Sequence, residues 1–237
     1  MLDPSSTVGL TFVQDAGNVA PVLNEGQTGV TNVTQRREAL LETGLELFSH
    51  RPYDELGIDD IAAAAGVAKG LLYYYFGSKR GFYVACVERA VAELRVLEDR
   101  TDIDDLSPAA GFARRLDAYL TYVEGHSEGF VTMLAGGVGA DREVRSILER
   151  EHDDRIALMC QTLAATDPPA QLLLTALRGW IGYVEAVSLQ WLTSGSLDRA
   201  TVRELLLRSL PGVLAAIDAV DRSALSVTGR TLAAGPT

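Results

Sequence analysis

Gly57-Ile58-Asp59-Asp60-Ile61-Ala62 runs through Ala65-Gly66-Val67-Ala68 into Lys69-Gly70-Leu71-Leu72-Tyr73-Tyr74-Tyr75-Phe76-Gly77-Ser78-Lys79. The first part predicts a short Ala-rich helix from Asp59 to Ala65, stopped at Gly66, and the second a short helix from Lys69 to Phe76. Two short helices joined by a turn of about three residues that contains glycine form a helix-turn-helix. The second helix must keep one side apolar to pack on its scaffold and turn the other toward a major groove. Leu72 and Phe76, four apart, supply the inward side. Lys69, Gly70, Tyr73 and Tyr74 are left near the outward side, where phenol hydroxyls and ammonium groups bond phosphate oxygens and Gly70 lets the backbone come close. Lys79 opens the next helix, whose free N–H groups and positive dipole end also favour a phosphate.

Upstream, Thr34 is an expected N-cap, and Leu40, Leu41, Gly44, Leu45, Leu47 and Phe48 give an apolar helical face that ends near Arg51-Pro52. Residues 1–32 are rich in Gly, Thr, Val and Pro, hold no Lys or Arg, and are expected to form a mobile arm. Downstream, Ser78 is expected to cap a long helix through Cys86 and Leu94 to about Glu98, followed by an acidic linker from Arg100 to Pro108. Phe112, Leu116, Tyr119, Leu120 and Val123 then share one helical face, and further helices are expected at about 127–135, 141–165, 170–193 and 198–219. The reading is therefore all-α: a DNA-binding unit over 33–80, a connecting helix over 81–100, a helical ligand-binding and dimerisation domain over 101–220, and a loose tail over 221–237.

Composition restricts the function. The 237 residues carry a formal net charge of −11, which argues against coating nucleic acid by bulk electrostatics. Residues 33–100 hold 9 Lys and Arg against 11 Asp and Glu, whereas 101–237 hold 12 against 18, so DNA binding has to come from a local patch. The basic groups at helix starts are Arg36, Arg37, Lys69, Lys79 and Arg80. Cys86 and Cys160 lie in apolar helical stretches without CxxC spacing and read as reduced core residues of a cytoplasmic protein. No basic segment followed by an apolar run opens the chain, so no signal peptide is expected. Leu172 to Leu192 has the length of a membrane span, but Arg178 and Glu185 near its middle favour a buried helix. His50, His126 and His152 show no metal spacing, no Gly-rich phosphate loop follows a strand, and no Ser or Cys has a recognisable base nearby. An enzyme, a metal site, a cofactor and a membrane are not expected.

The helix-turn-helix segment resembles the DNA-binding domain of the TetR/AcrR family of regulators over about residues 33–90. The IA-x-x-AGV turn, the LYYYF helix and the following Ser-Lys occur together at family spacing. The resemblance implies that Tyr73 and Lys79 contact phosphate and that Lys69, Gly70, Leu71 and Tyr74 face base edges or backbone; Arg36, among the basic groups at helix starts, is expected to add to the DNA contact. Three residues depart from the pattern: Gly57 stands where Thr or Ser commonly caps, Ala68 where Ser is common, and Gly44 in place of a usual Ala. A missing cap hydroxyl costs of order 1 kcal/mol, less with Gly than with Ala.

The resemblance also implies a homodimer on a palindromic double-stranded operator, and repression as the commoner mode. The residues point the same way: one such unit makes few contacts, so duplication on a palindrome is the natural remedy. From Leu172 to Leu192 the chain is apolar nearly all round, with Gln171, Arg178 and Glu185 as one polar stripe at seven-residue spacing. Gly179, Gly182 and Ala186 make a track of small residues for a partner helix, and Leu205 to Ile217 can complete a four-helix interface. For a small, mainly apolar effector, Phe112, Leu116, Tyr119, Met133, Met159, Trp180 and Tyr183 are candidate cavity walls with Arg178 and Glu185 as polar anchors. The same residues equally suit an ordinary core, with Arg178 and Glu185 as a structural ion pair.

Overall fold

The computed structural model describes residues 25–99, 106–135 and 141–234, and the side chains of 33–98, 106–131 and 141–234. The chain divides into two units, one ending at Arg36 and one beginning at Arg37. Among the described residues the regular structure is helical: α1 Glu25–His50, α2 Ile58–Ala64, α3 Lys69–Phe76, α4 Lys79–Asp99, α5 Pro108–Gly125, α6 Ser127–Ala135, α7 Arg142–Thr162, α8 Gln171–Ser194, α9 Arg199–Val220 and α10 Val227–Ala233. Single 3₁₀ turns stand at Tyr53–Glu55 and Arg222–Ala224.

Local chemistry accounts for most of these boundaries. Gly66 takes φ +63° and Gly77 φ +72°, left-handed values that end α2 and α3 at little steric cost. The Ser78 hydroxyl accepts from Gly81 N–H at 2.9 Å at the start of α4. Ser107 accepts from Ala110 N–H at the start of α5, whose first residue is proline. Asp141 caps α7, Asp198 caps α9 and Ser226 caps α10 in the same way.

The helix-turn-helix core gathers Leu40, Leu41 and Phe48 of α1, Ile61 of α2, Leu72 of α3 and Phe82 of α4. Val144 and Ile147 of α7 complete it, at 0% and 4% exposure, so a helix distant in sequence supplies part of the scaffold behind α3. A second core joins α5, α7, α8 and α9 through Phe112, Met159, Leu177 and Leu214, and a third joins α4, α5, α8 and α9 through Leu94, Leu120, Val184 and Leu206. The outer face of α8, from Gly179 through Gly182 and Tyr183 to Ala186, is exposed.

Two expectations are corrected. The arm was expected to reach residue 32 with Thr34 as the cap, yet α1 begins at Glu25. No proline lies between Pro21 and Pro52, and a helix once nucleated gains a hydrogen bond for each residue added. Residues 1–24 of that arm lie outside the described residues. The tail over 221–237 was expected to be loose, yet it forms a 3₁₀ turn and α10 as far as Ala233. Ala224 and Leu225 are each 4% exposed in the second core, and Arg230 donates to the Leu225 carbonyl at 2.6 Å, so packing orders a segment too short to be helical by propensity alone. α8 was expected to be buried on two sides, the second of them against a partner helix. It is long and apolar enough to span a membrane by composition, but within this chain it buries one line of residues, Leu173, Leu177, Ile181, Val184, Ser188 and Trp191.

Candidate DNA-binding face and effector cavity

Leu72, at 1% exposure, anchors α3 inward, and the helix turns Lys69, Gly70, Tyr73 and Tyr74 to the surface. Tyr73 is 45% and Tyr74 77% exposed, which no packing requirement explains. Leu71 is half-buried against the helix-turn-helix core. The Lys69 ammonium lies 2.9 and 3.0 Å from the two Asp59 carboxylate oxygens, an exposed pair that neutralises a cation placed at the positive end of α3. Lys79 is half-buried, with its ammonium 4.0 Å from the centroid of the Tyr53 ring. That seat fixes the direction of the lysine without taking up its hydrogen-bond donors. Arg37 lies over the Phe76 ring at 5.2 Å. Arg36, in the other unit, is exposed.

The departures from the expected caps have visible consequences. At Gly57 no hydroxyl is present, but the Asp60 carboxylate accepts from the Gly57 N–H at 2.8 Å. At Ala68 no side chain caps α3. Gly44 faces Phe82 and Cys86, and a Cβ there would come within 2.5 Å of both.

The second candidate site lies among α4, α5, α7 and α8. Phe112, Leu116, Tyr119, Met159, Trp180 and Glu185 line one cavity of about 80 Å³. Phe112, Leu116 and Trp180 also line a larger one of about 650 Å³ bounded by α5, α9 and α10. Six of the nine residues read from sequence thus line a cavity. Tyr183 does not: it follows Ile181 by two positions, about 200° around the helix, and is 38% exposed. Arg178 does not either, since it pairs with Asp153 of α7, while Glu185 pairs with His152 of α7 at 2.8 Å. Two of the three residues of the α8 polar stripe therefore meet α7, and Arg178 and Glu185 are not an ion pair with each other. The Met133 side chain lies outside the described residues.

The basic group in the cavity wall is instead Arg155, 3.4 Å from Glu98 of α4 and 3.4 Å from Glu151. It precedes Met159 by four positions, a same-face relation that the sequence offered. Glu151 is 5% exposed and accepts from Arg95 at 2.7 Å, so the cavity wall is tied to α4 by an ionic lattice. Burial pushes the Glu98 carboxyl above its usual range, against the pull of Arg155. The Tyr119 and Ser188 hydroxyls and Arg155 Nε and Nη2 are buried without a well-formed hydrogen bond among the described residues, although the two hydroxyls lie near each other and Arg155 keeps its carboxylates at 3.4 Å. Such atoms cost free energy until a ligand atom or water satisfies them. Among the described residues no group of three His, Cys, Asp or Glu side chains is placed to hold a metal.

Residues 40–86 match the family described as bacterial regulatory proteins, tetR family, and residues 108–212 match the family described as tetracyclin repressor-like, C-terminal domain. The chain belongs to the TetR family. The crystal structure of a TetR-family regulator from Streptomyces coelicolor superposes with a TM-score of 0.76 at 27% identity, covering 86% of this chain and 90% of that one. Among curated proteins, the chain is similar to the HTH-type transcriptional activator FasR of Mycolicibacterium smegmatis, with 35% identity over 101 residues, 40% of this chain and 44% of the relative. It is also similar to the HTH-type transcriptional regulator RutR of Escherichia coli K12, with 28% identity over 131 residues, 54% of this chain and 61% of the relative. The chain thus matches less than two thirds of the length of these relatives. Within the TetR family, the two matched parts are the helix-turn-helix with the start of α4, and the stretch from α5 into α9.

Proposed function

We propose that the protein is a homodimeric, sequence-specific DNA-binding transcription regulator whose operator affinity falls when a small, mainly apolar effector enters the cavity between α5 and α8. The observation that carries this reading is the outward face of α3, where two tyrosines and Lys69 stand exposed beside a pre-aimed Lys79. Tyr73 and Lys79 take phosphates, while Lys69, Gly70, Leu71 and Tyr74 meet base edges or backbone, and Arg36 adds a basic contact. The exposed small-residue face of α8, with the outer face of α9, pairs with its counterpart and places two α3 helices on a palindrome.

The ionic lattice supports a route from cavity to DNA. Arg155 lies in the cavity wall, bridges to Glu98 near the end of α4, and shares Glu151 with Arg95. At its other end α4 is held by Arg80, bonded to Asp141 at 2.7 and 2.9 Å. An effector atom that satisfies Arg155 or Tyr119 alters the tether on α4, and a coupling of about 1–3 kcal/mol changes operator affinity about 5- to 150-fold.

The test is binding of the purified protein to DNA flanking its own gene, with excess unrelated competitor and at two salt concentrations. Two subunits on one site are expected, and Lys79→Ala should lower the slope of log K against log salt by about 1 for each lysine removed. Binding that the competitor abolishes equally for every fragment would overturn the reading. A reporter under the bound promoter gives the sign of regulation.

A further inference from the structure

A cavity of about 510 Å³ opens between the C-terminal half of α1, the 3₁₀ turn at Tyr53–Glu55, α4 and the α5–α6 junction, and it shares no residue with the effector cavities. We propose that it is a binding site for a protonated amine carried on an apolar, ring-sized body. Its volume lies within the roughly 300–1,000 Å³ typical of small-molecule sites. Its apolar walls include Phe48, Tyr53, Tyr83, Tyr122 and Phe130.

Charge selects the occupant. Glu42, Glu46, Glu93 and Glu128 line the cavity, and among the described residues no Lys or Arg side chain does. Glu93 is taken up by Arg89 at 3.0 Å and Glu128 by His50. Glu42 and Glu46, one helical turn apart on α1, have no cationic partner among the described residues. Like charges at that spacing destabilise a helix, and a bound ammonium relieves the repulsion. Aromatic faces reinforce the preference, because their quadrupoles attract a cation.

Tyr83 is a separate observation on the same wall. It is 8% exposed and lines the cavity beside Tyr53 and Phe48. Burial pushes its pKa up to about 12, so it remains a neutral phenol whose oxygen can accept from an ammonium N–H. Tyr53 already seats one cation, the Lys79 ammonium, so an occupant would share its ring with a residue of the DNA face. At the rim, a Cβ on Gly129 would lie 3.3 Å from Ser49 Cβ, which shows how closely α6 meets the end of α1.

The experiment is titration calorimetry of the full-length protein at neutral pH with three probes of one skeleton: 4-phenylbutylammonium, 4-phenylbutan-1-ol and 4-phenylbutyrate. The ammonium is expected to bind about tenfold or more tighter than either other probe, and the Glu42→Gln/Glu46→Gln variant to lose about that factor. The exposed pair Glu88 and Glu149, neither of which lines the cavity, gives a control variant, Glu88→Gln/Glu149→Gln, which should bind the ammonium as the wild type does. Equal binding of the three probes, an unaffected Glu42→Gln/Glu46→Gln protein, or an equal loss in the control would overturn the site. DNA binding is not read in this titration, so failure of the regulator reading and failure of this site are separate results.

Discussion

A methyl group on Gly44 would lie 2.5 Å from both the Phe82 ring and the Cys86 sulfur, which is why α1 lacks the alanine its family resemblance led one to expect. Overfilling a packed core costs about 1–3 kcal/mol, more than the helix propensity that alanine would add. Gly44→Ala should therefore lower stability by about that amount in urea unfolding, and an unchanged midpoint would show that Phe82 moves aside freely. The other two departures act at the surface. Asp60 substitutes for the missing hydroxyl at Gly57, while α3 starts at Ala68 without a cap and leans on the Asp59–Lys69 pair beside it. Asp59 holds Lys69 in an ion pair that the spacing of ten residues did not reveal, because the pair forms only once the turn at Gly66 folds α3 back on α2.

Among the elements, α4 is tethered at both ends to α7, and the tether near its start has a pH signature. Arg80 bonds to Asp141 and holds its carboxyl down at about 2, with the Val144 and Glu143 N–H groups helping. A carboxylate whose pKa is lower in the folded state stabilises the fold above its unfolded value of 3.8, and that contribution disappears as pH falls toward about 2. Arg80→Ala should be less stable than the wild type at neutral pH, with the difference narrowing across that acid window; a constant difference in thermal melts would remove the pair from the account. Helices of this length were legible because each carries its punctuation: Gly66 and Gly77 after short helices, Ser107, Asp141 and Asp198 before long ones. The α3 bounds, Lys69 to Phe76, and the inward role of Leu72 could be read directly from periodicity. What stayed hidden depends on partners distant in the chain. α10 is ordered by burial of Leu225 and Leu232 in the second core, and Arg178 turns to α7 because one residue beyond Leu177 is 100° off the buried line. Arg155 was overlooked for the same reason: its value to the cavity comes from Glu98 on another helix.

At the scale of the whole molecule, an acidic protein that binds DNA needs its few outward cations duplicated and aligned, which is the work of the dimer proposed above through the exposed face of α8. A Cβ on Gly182 meets nothing within 4 Å in the single chain, so Gly182→Trp leaves the protomer core untouched while blocking close approach of a second helix. Light scattering should show a monomer with unchanged helical circular dichroism and weakened operator binding; a persistent dimer would place the interface elsewhere. The contribution of Val144 and Ile147 to the core behind α3 has a further consequence for modularity. A chimera that grafts residues 37–99 onto another sensor would carry α3 intact but leave its scaffold with two apolar vacancies and Arg80 without its carboxylates. The transferable unit is discontinuous, and it includes the first two turns of α7.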